Sequence, residues 1–150
     1  MADKVRTGTH YYFAYGSNMD QTQMAQRCPG SQMIGIATIH GYRFAIDAVG
    51  VATIIPDEAG TVYGVLWLVS ERDVLRLDRY EGVAAGCYRR ESISVQMQNN
   101  KDQEALVYIS NRPRWSHPWG TGSPYMDNIE RWARFYDFPS EYLAELHRLI

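Results

Sequence analysis

An apolar run at residues 61–69 constrains the fold of this chain more than any other feature. The run has the length of one strand, and it is apolar enough for both faces of that strand to be buried. Gly64 interrupts it, and it is far shorter than the ~20 residues needed to cross a bilayer. It therefore predicts the strongest strand of a sheet in a protein that does not enter a membrane.

Strand patterns lie on both sides of this run, and helical patterns dominate the end of the chain. We predict further strands at residues 11–15, 33–39, 42–46, 51–55, 88–97 and 104–110, with turns at residues 56–60 and 98–102. Helices are predicted at residues 19–26, from Glu71 to a terminating Gly82, after Ser123-Pro124 and after Pro139. This order is typical of an α+β fold whose mixed or antiparallel sheet curls into a small barrel.

The composition restricts what such a protein does. A chain of 150 residues fits one domain spanning residues 1–150. The formal net charge of −2 leaves no basic excess for phosphate backbones, so nucleic acid is not an expected partner. Two cysteines, Cys28 and Cys87, are too few for a disulfide framework, and residues 1–10 contain no apolar signal segment. We therefore expect a cytoplasmic protein.

Several familiar catalytic motifs are absent from the sequence. The four histidines lie apart, without the spacing of metal ligands. Ser17 is not in a GxSxG motif, and the chain has neither a P-loop nor a GxGxxG motif. Eleven tyrosines instead favour a pocket with apolar walls and polar hydroxyl tips. We expect no metal.

The first segment that suggests chemistry is Tyr12-Phe13-Ala14-Tyr15-Gly16-Ser17-Asn18. A predicted strand there runs into a Gly-Ser-Asn turn and then into a helix. Such a turn can direct several backbone N–H groups at one anion. The alternative is an ordinary strand-to-helix turn, because short glycine motifs recur by chance.

The second segment is the end of the helix that begins after Ser70, its predicted N-cap, with Asp73 completing a near capping box. Glu81 lies just before Gly82, where a carboxylate faces the negative end of the helix dipole. Enclosure by aromatic side chains would also desolvate Glu81 and raise its pKa, as a general base near neutrality requires. The alternative is a solvated glutamate with a free carboxylate.

Together these segments resemble the gamma-glutamylcyclotransferase family. The matching stretches follow the family's order along nearly the whole chain: the Tyr12–Asn18 segment, Val51-Ala52-Thr53-Ile54, Val62-Tyr63-Gly64-Val65-Leu66-Trp67, Leu77-Asp78, Glu81-Gly82-Val83, Gly86 with Tyr88, Ser123-Pro124-Tyr125, and Pro139 with Glu141-Tyr142. Tyr-Gly-Ser-Asn alone is moderately specific. The Glu-Gly pair behind Leu-Asp makes the combination strong.

The resemblance implies a small, mainly antiparallel barrel with packed helices. It also implies conversion of a γ-glutamyl amine or γ-glutamyl amino acid to 5-oxoproline, with release of the amine and without a cofactor. By position, Glu81 matches the family's catalytic glutamate, which we expect to act as general acid and base. The implied substrate-binding residues are Tyr12, Phe13, Ala14, Tyr15, Gly16, Ser17, Asn18, Tyr88, Tyr108 and Tyr125.

Two other functions are compatible with these residues. One is an enzyme that removes a γ-glutamyl group from another amine, such as a protected biosynthetic intermediate or a crosslink fragment. The other is a non-catalytic domain that binds a γ-glutamyl ligand, although retention of Glu81 argues against it. Glutathione is a less favoured substrate, because the enzymes that act on it belong to a more distant branch.

Residues 114–120 match no stretch of the family. Since this loop precedes Tyr125, the sequence leaves substrate preference open on the leaving-group side of the pocket. Trp115, Trp119 and Trp132 indicate either a dimer or lid surface or packing within the core and loops. A homodimer is therefore one expectation for the assembly.

Overall fold

The computed structural model describes residues 8–112 and 124–149. Its strands are β1 (Thr9–Ala14), β2 (Gln32–Ile46), β3 (Ala52–Ser70), β4 (Tyr88–Met97) and β5 (Asp102–Ser110). Its helices are α1 (Gln21–Arg27), α2 (Glu71–Tyr80), α3 (Pro124–Phe135) and α4 (Ser140–Arg148), and a 3-10 turn covers Ser17–Met19. Within these ranges no helix is both long enough and apolar enough to span a bilayer.

The five strands close into a barrel in the order β1-β3-β2-β4-β5. Neighbouring strands are antiparallel except for β1 and β5, whose parallel contact between Tyr12 and Leu106 completes the ring. Residues 61–69 form the second half of β3, which pairs with both β1 and β2. This architecture confirms the mainly antiparallel barrel with packed helices that the resemblance implies.

Strands β2 and β3 are longer than the sequence patterns predict. Residues 33–39 and 42–46 form one strand rather than two, and residues 52–55 and 61–69 also belong to a single strand. The predicted turn at residues 56–60 is therefore wrong. Tyr42 pairs with Pro56 and His40 with Thr61, so Gly41 alone lies opposite residues 57–60. The turn-forming residues produce a bulge that bends a continuing strand instead of reversing it.

The connection after β1 also differs from the predicted helix at residues 19–26. The chain first makes the 3-10 turn, and α1 begins only at Gln21. Asp20 sets this boundary, because its side chain accepts a hydrogen bond from the Gln23 N–H (3.0 Å) and so caps the helix.

Helix α2 confirms the start and the end predicted from its sequence. Ser70 Oγ accepts the Asp73 N–H (3.0 Å), and the Asp73 side chain accepts the Ser70 N–H, so the capping box is complete. At the other end Gly82 has a φ of +64°, a conformation that glycine adopts without strain. Glu81, directly before Gly82, is the C-cap residue of α2, and its N–H donates to the Leu77 carbonyl (2.8 Å).

Helix α3 packs against α4 and against the turn that follows β1. Ile129 is buried on α3, Tyr136 is buried directly after that helix, and Trp132 is half-buried against Phe135 and Tyr136. Pro139 precedes α4 as its N-cap, as its predicted role at the start of that helix requires.

The buried face of α4 is narrow. Leu146 is buried, whereas Leu143 and Leu149 are only partly buried, and Tyr142 supplies the remaining contact with the core. The predicted N-cap Ser123 and the loop at residues 114–120, with Trp115 and Trp119, lie outside the described residues.

Candidate active site

A cavity of about 350 Å³ lies where the end of β1, the end of α2 and the start of β4 meet α3. Its volume is at the lower end of the range for small-molecule sites. The residues implied by the family resemblance line it, with the exception of Ala14; they are Tyr12, Phe13, Tyr15, Gly16, Ser17, Asn18, Glu81, Tyr88, Tyr108 and Tyr125. Sequence segments that lie far apart thus converge on one small volume.

Ala14 lies beside the cavity wall rather than on it. Ala14 is buried in β1, and its carbonyl oxygen would be 2.4 Å from a Cβ placed on Gly64. This close approach of two strands explains why residue 64 is a glycine within an otherwise apolar strand.

Glu81 provides the one carboxylate on the described lining of the cavity. Burial raises the pKa of Glu81 to about 7, although the positive charges of Arg27 and Arg112 act to lower it. No side chain or backbone N–H of residues 8–112 and 124–149 donates a hydrogen bond to this carboxylate. Glu81 is therefore free to exchange a proton with a ligand near neutral pH.

Two tyrosine hydroxyls hold the backbone of Ala52 at the start of β3. The Tyr88 hydroxyl donates to the Ala52 carbonyl, and the Tyr125 hydroxyl accepts the Ala52 N–H (3.0 Å). Because a carbonyl can only accept and an N–H can only donate, these bonds fix the direction of each hydroxyl. Tyr88 keeps lone pairs for a ligand, and Tyr125 keeps a proton to donate.

Two further tyrosines are fixed in the same way. The Tyr15 hydroxyl donates to the Tyr108 carbonyl (2.6 Å), and the Tyr108 hydroxyl donates to the Asp78 carboxylate (2.7 Å). Burial raises the pKa of both phenols, and it raises the pKa of Tyr125 to about 12. These hydroxyls therefore remain uncharged at neutral pH and act as fixed donors or acceptors.

The residues of the turn after β1 line the cavity. The Met19 N–H bonds to the Gly16 carbonyl (3.0 Å) and the Asp20 N–H to the Ser17 carbonyl (3.1 Å). The Ser17 and Asn18 N–H groups precede these bonds, and in the described part of the chain they have no acceptor. The wall is tight here, since a Cβ on Gly16 would lie 3.2 Å from the Ala52 side chain.

Asn18 organises this turn with its side chain. The Asn18 Nδ2 donates to the Tyr12 hydroxyl (3.0 Å), and its Oδ1 accepts from Gln23 Nε2 (3.1 Å) and Arg27 Nη1 (3.0 Å). Its side-chain oxygen is thus committed to α1. The Tyr12 hydroxyl, which accepts this bond, keeps its proton for another partner.

The two arginines of the site were not predicted from the sequence. Arg27 ends α1, and Arg112 follows β5, where its Nε donates to Asp47 Oδ2 (2.8 Å). Neither lies in a motif that singles out a ligand-binding arginine, and only the packing of distant segments brings both to the cavity. Tyr80 and Cys87 also line it without having been predicted. Across the described residues, no group of three or more His, Cys, Asp or Glu side chains is arranged to hold a metal ion.

The sequence of this chain is similar to the sequences of known proteins. A family model described as gamma-glutamyl cyclotransferase, AIG2-like, matches residues 12–134, a range that contains every described residue lining the cavity. The chain is 27% identical to gamma-glutamylcyclotransferase of Mus musculus over 149 residues, covering 92% of this chain and 77% of that protein. It is also 27% identical to gamma-glutamylcyclotransferase of Homo sapiens over 146 residues, covering 90% of this chain and 76% of that protein.

A solved structure of a protein named gamma-glutamyl cyclotransferase has the same fold. The two chains superpose with a TM-score of 0.81 at 26% sequence identity, covering 93% of this chain and 86% of the other.

Proposed function

Since the chain belongs to the gamma-glutamyl cyclotransferase, AIG2-like family, we propose that its cavity cyclises a γ-glutamyl amine or γ-glutamyl amino acid to 5-oxoproline and releases the amine. Glu81 acts as the general acid and base of this reaction. The observation that carries the proposal is a carboxylate with a pKa raised to about 7, unpaired within the described residues and facing a cavity of fixed tyrosine hydroxyls.

The substrate brings its own nucleophile. The α-amine of a γ-glutamyl group can reach its own γ-carbonyl, so ring closure is intramolecular and depends on orientation. An α-amine has a pKa of about 7.7–8.0 and is mostly ammonium at neutral pH. The Glu81 carboxylate takes the ammonium proton, and the freed nitrogen attacks the γ-carbonyl carbon. As the bond to the leaving nitrogen breaks, Glu81 gives this proton to that nitrogen. The second proton of the new ring nitrogen then passes through Glu81 to the released amine, which leaves as an ammonium ion.

The fixed hydroxyls match the charges of this reaction. The developing oxyanion requires donors, and Tyr125 retains its proton while Ser17 and Asn18 present N–H groups. The ammonium requires acceptors, and Tyr88 retains lone pairs beside Glu81. The backbone N–H groups serve equally well for the α-carboxylate of the substrate, so we assign them to the γ-glutamyl part as a whole.

The proposal is tested by the release of 5-oxoproline from a panel of γ-glutamyl compounds. The panel contains γ-glutamyl-alanine, γ-glutamyl-lysine, a γ-glutamylated polyamine and glutathione. We expect the protein to convert at least one of them, and the best substrate identifies the leaving amine. Preference for the polyamine or for a lysine crosslink fragment would favour the second enzymatic function. Binding without any release of 5-oxoproline would overturn catalysis and support a ligand-binding domain.

The dependence of kcat/KM on pH tests the assignment of the proton to Glu81. Because the carboxylate form is the base, kcat/KM should rise with pH around a midpoint near 7. Of the two positive charges that lower the pKa of Glu81, that of Arg27 has the larger effect. Arg27→Gln removes this charge, so the midpoint should move to higher pH. The substrate amine is the same in both measurements, so the shift reports the enzyme group. A midpoint that stays in place or moves down would contradict the assignment.

A further inference from the structure

The two arginines of the cavity have different surroundings. Arg27 donates to Asn18 Oδ1 (3.0 Å), its guanidinium lies 4.6 Å from the centre of the Tyr80 ring, and no carboxylate of residues 8–112 and 124–149 lies within ion-pair distance of it. Arg112 instead pairs with Asp47 (2.8 Å), and its guanidinium lies 5.4 Å from the centre of the Tyr88 ring. The cavity therefore contains two cationic positions, on different elements.

Arg112 is held at both ends. Its backbone N–H donates to Ser110 Oγ (3.0 Å), and that hydroxyl donates in turn to Asp47 Oδ2 (2.7 Å). Asp47 is fully buried and also accepts the N–H groups of Val49 (3.0 Å) and Val51 (3.2 Å). This arrangement fixes the guanidinium before any ligand arrives, which reduces the entropy lost on binding.

The guanidinium of Arg112 keeps donors for a ligand. Asp47 takes the Nε donor, and within the described part of the chain Cys87 is the other side chain that hydrogen-bonds to this group. An arginine has five N–H donors in a planar fork that matches a carboxylate. A second carboxylate can therefore bind the same guanidinium from the cavity side.

The position of each arginine indicates which part of the substrate it meets. Arg27 is joined through Asn18 to the turn that the proposed function gives to the γ-glutamyl group. Arg112 lies on the wall formed by Tyr88 and Cys87, on a different element from Arg27. It lies two residues before the segment whose sequence departs from the family.

We propose that Arg112, positioned by Asp47 and Ser110, determines the specificity of this cavity by binding a carboxylate on the leaving amine. The inference rests on the proposed cyclotransferase function and adds the chemical class of the leaving group, an amino acid rather than a polyamine. Asp47 neutralises the charge of Arg112, so the preference comes from the remaining guanidinium donors, which the carboxylate of an amino acid can accept and a polyamine cannot. Asp47 is a positioning residue, since it acts through Arg112.

The test compares γ-glutamyl-alanine with γ-glutamyl-alaninamide, which has the same shape but no carboxylate on the leaving group. The wild-type protein should prefer γ-glutamyl-alanine in kcat/KM by about 10–100-fold, the range for a hydrogen-bonded charge. Arg112→Gln should reduce this ratio at least ~10-fold, and Arg112→Lys, which keeps the charge but not the fork, should give an intermediate ratio. The ratio does not depend on how much of a variant is folded, because both substrates meet the same preparation.

Arg27→Gln is the matched control. It should lower kcat/KM for both compounds by a similar factor and leave their ratio unchanged. A ratio near one for the wild-type protein, an unchanged ratio in Arg112→Gln, or a ratio that falls in Arg27→Gln instead would each overturn the assignment.

Binding to the Glu81→Gln variant separates this inference from the proposed function. Calorimetry with both compounds measures the carboxylate preference without turnover. If wild type releases no 5-oxoproline but Glu81→Gln prefers γ-glutamyl-alanine only while Arg112 is present, the proposed function fails and the role of Arg112 stands. Equal binding of the two compounds would overturn the role of Arg112 whatever the activity.

Discussion

Glu81→Gln is expected to lose at least ~10²-fold in kcat/KM for 5-oxoproline release, the loss typical of removing a general base. Glutamine occupies nearly the same volume as glutamate but cannot take a proton at neutral pH. The substrate ammonium would then have no base in contact with it, because Glu81 is the one carboxylate on the described lining of the cavity. Steady-state assays at pH 8 with the best substrate of the panel measure the loss.

Two controls keep this result from being attributed to unfolding. Glu58→Gln makes the same change at an exposed glutamate outside the cavity and should retain full activity. The stability of Glu81→Gln should also match or exceed that of wild type at pH 8. The folded protein raises the pKa of Glu81 from 4.5 to about 7, so ionisation above neutrality opposes folding, and glutamine removes that penalty. Activity within about threefold of wild type would contradict the role of Glu81 as the general base.

Asp47→Asn is expected to lower the free energy of unfolding by about 2–4 kcal/mol. Breaking a fully buried ion pair typically costs about 3–5 kcal/mol, and we expect less here because Arg112 is 26% exposed and reaches water. Asparagine would turn an NH₂ group towards donors that now meet a carboxylate oxygen, those of Ser110 and Arg112 or those of Val49 and Val51. Chemical denaturation at pH 7 measures the difference.

Asp57→Asn is the matched control for this variant. Its carboxylate lies 3.6 Å from Arg43 with both side chains 37% exposed, and such surface pairs contribute about 0–1 kcal/mol. If Asp47→Asn lowers the free energy of unfolding no more than Asp57→Asn does, the structural role of the buried pair is contradicted.

The loss of stability caused by Asp47→Asn should depend on pH. Burial alone would raise the pKa of Asp47, but the hydrogen bonds from Ser110, Val51, Arg112 and Val49 outweigh it and hold the pKa below 3.8. The carboxylate therefore stabilises the fold above that value, and the stabilisation is lost as the pH falls through 3.8 towards the lower folded pKa. The difference between wild type and Asp47→Asn should shrink correspondingly in acid.

Features set by neighbouring residues were predicted from the sequence. The capping box of α2 depends on Ser70 and Asp73, three positions apart, and the end of the helix depends on Gly82. Those local signals placed Glu81 at a helix C-terminus. The enclosure of the Glu81 side chain could not be predicted from these local signals, because the cavity walls around it come from β1, β4 and α3.

Features set by distant pairing were not predicted. Residues 56–60 have turn-forming side chains, yet the pairing of Tyr42 with Pro56 and of His40 with Thr61 keeps both strands continuous across the bulge. The arginines of the cavity were missed for a similar reason. Arg112 becomes a candidate ligand-binding residue only when Asp47, which directly follows β2, is seen to hold it.

The parallel contact between Tyr12 and Leu106 also bears on how the protein folds. The barrel closes through its first and last strands, and such long-range contacts form slowly because a large loop must be ordered first. During synthesis β1 can pair with β3 before β5 is available to pair with the other edge of β1. The turn after β1 and the tyrosine from β5 therefore meet late, so folding intermediates that lack β5 contain much of the sheet without a complete cavity.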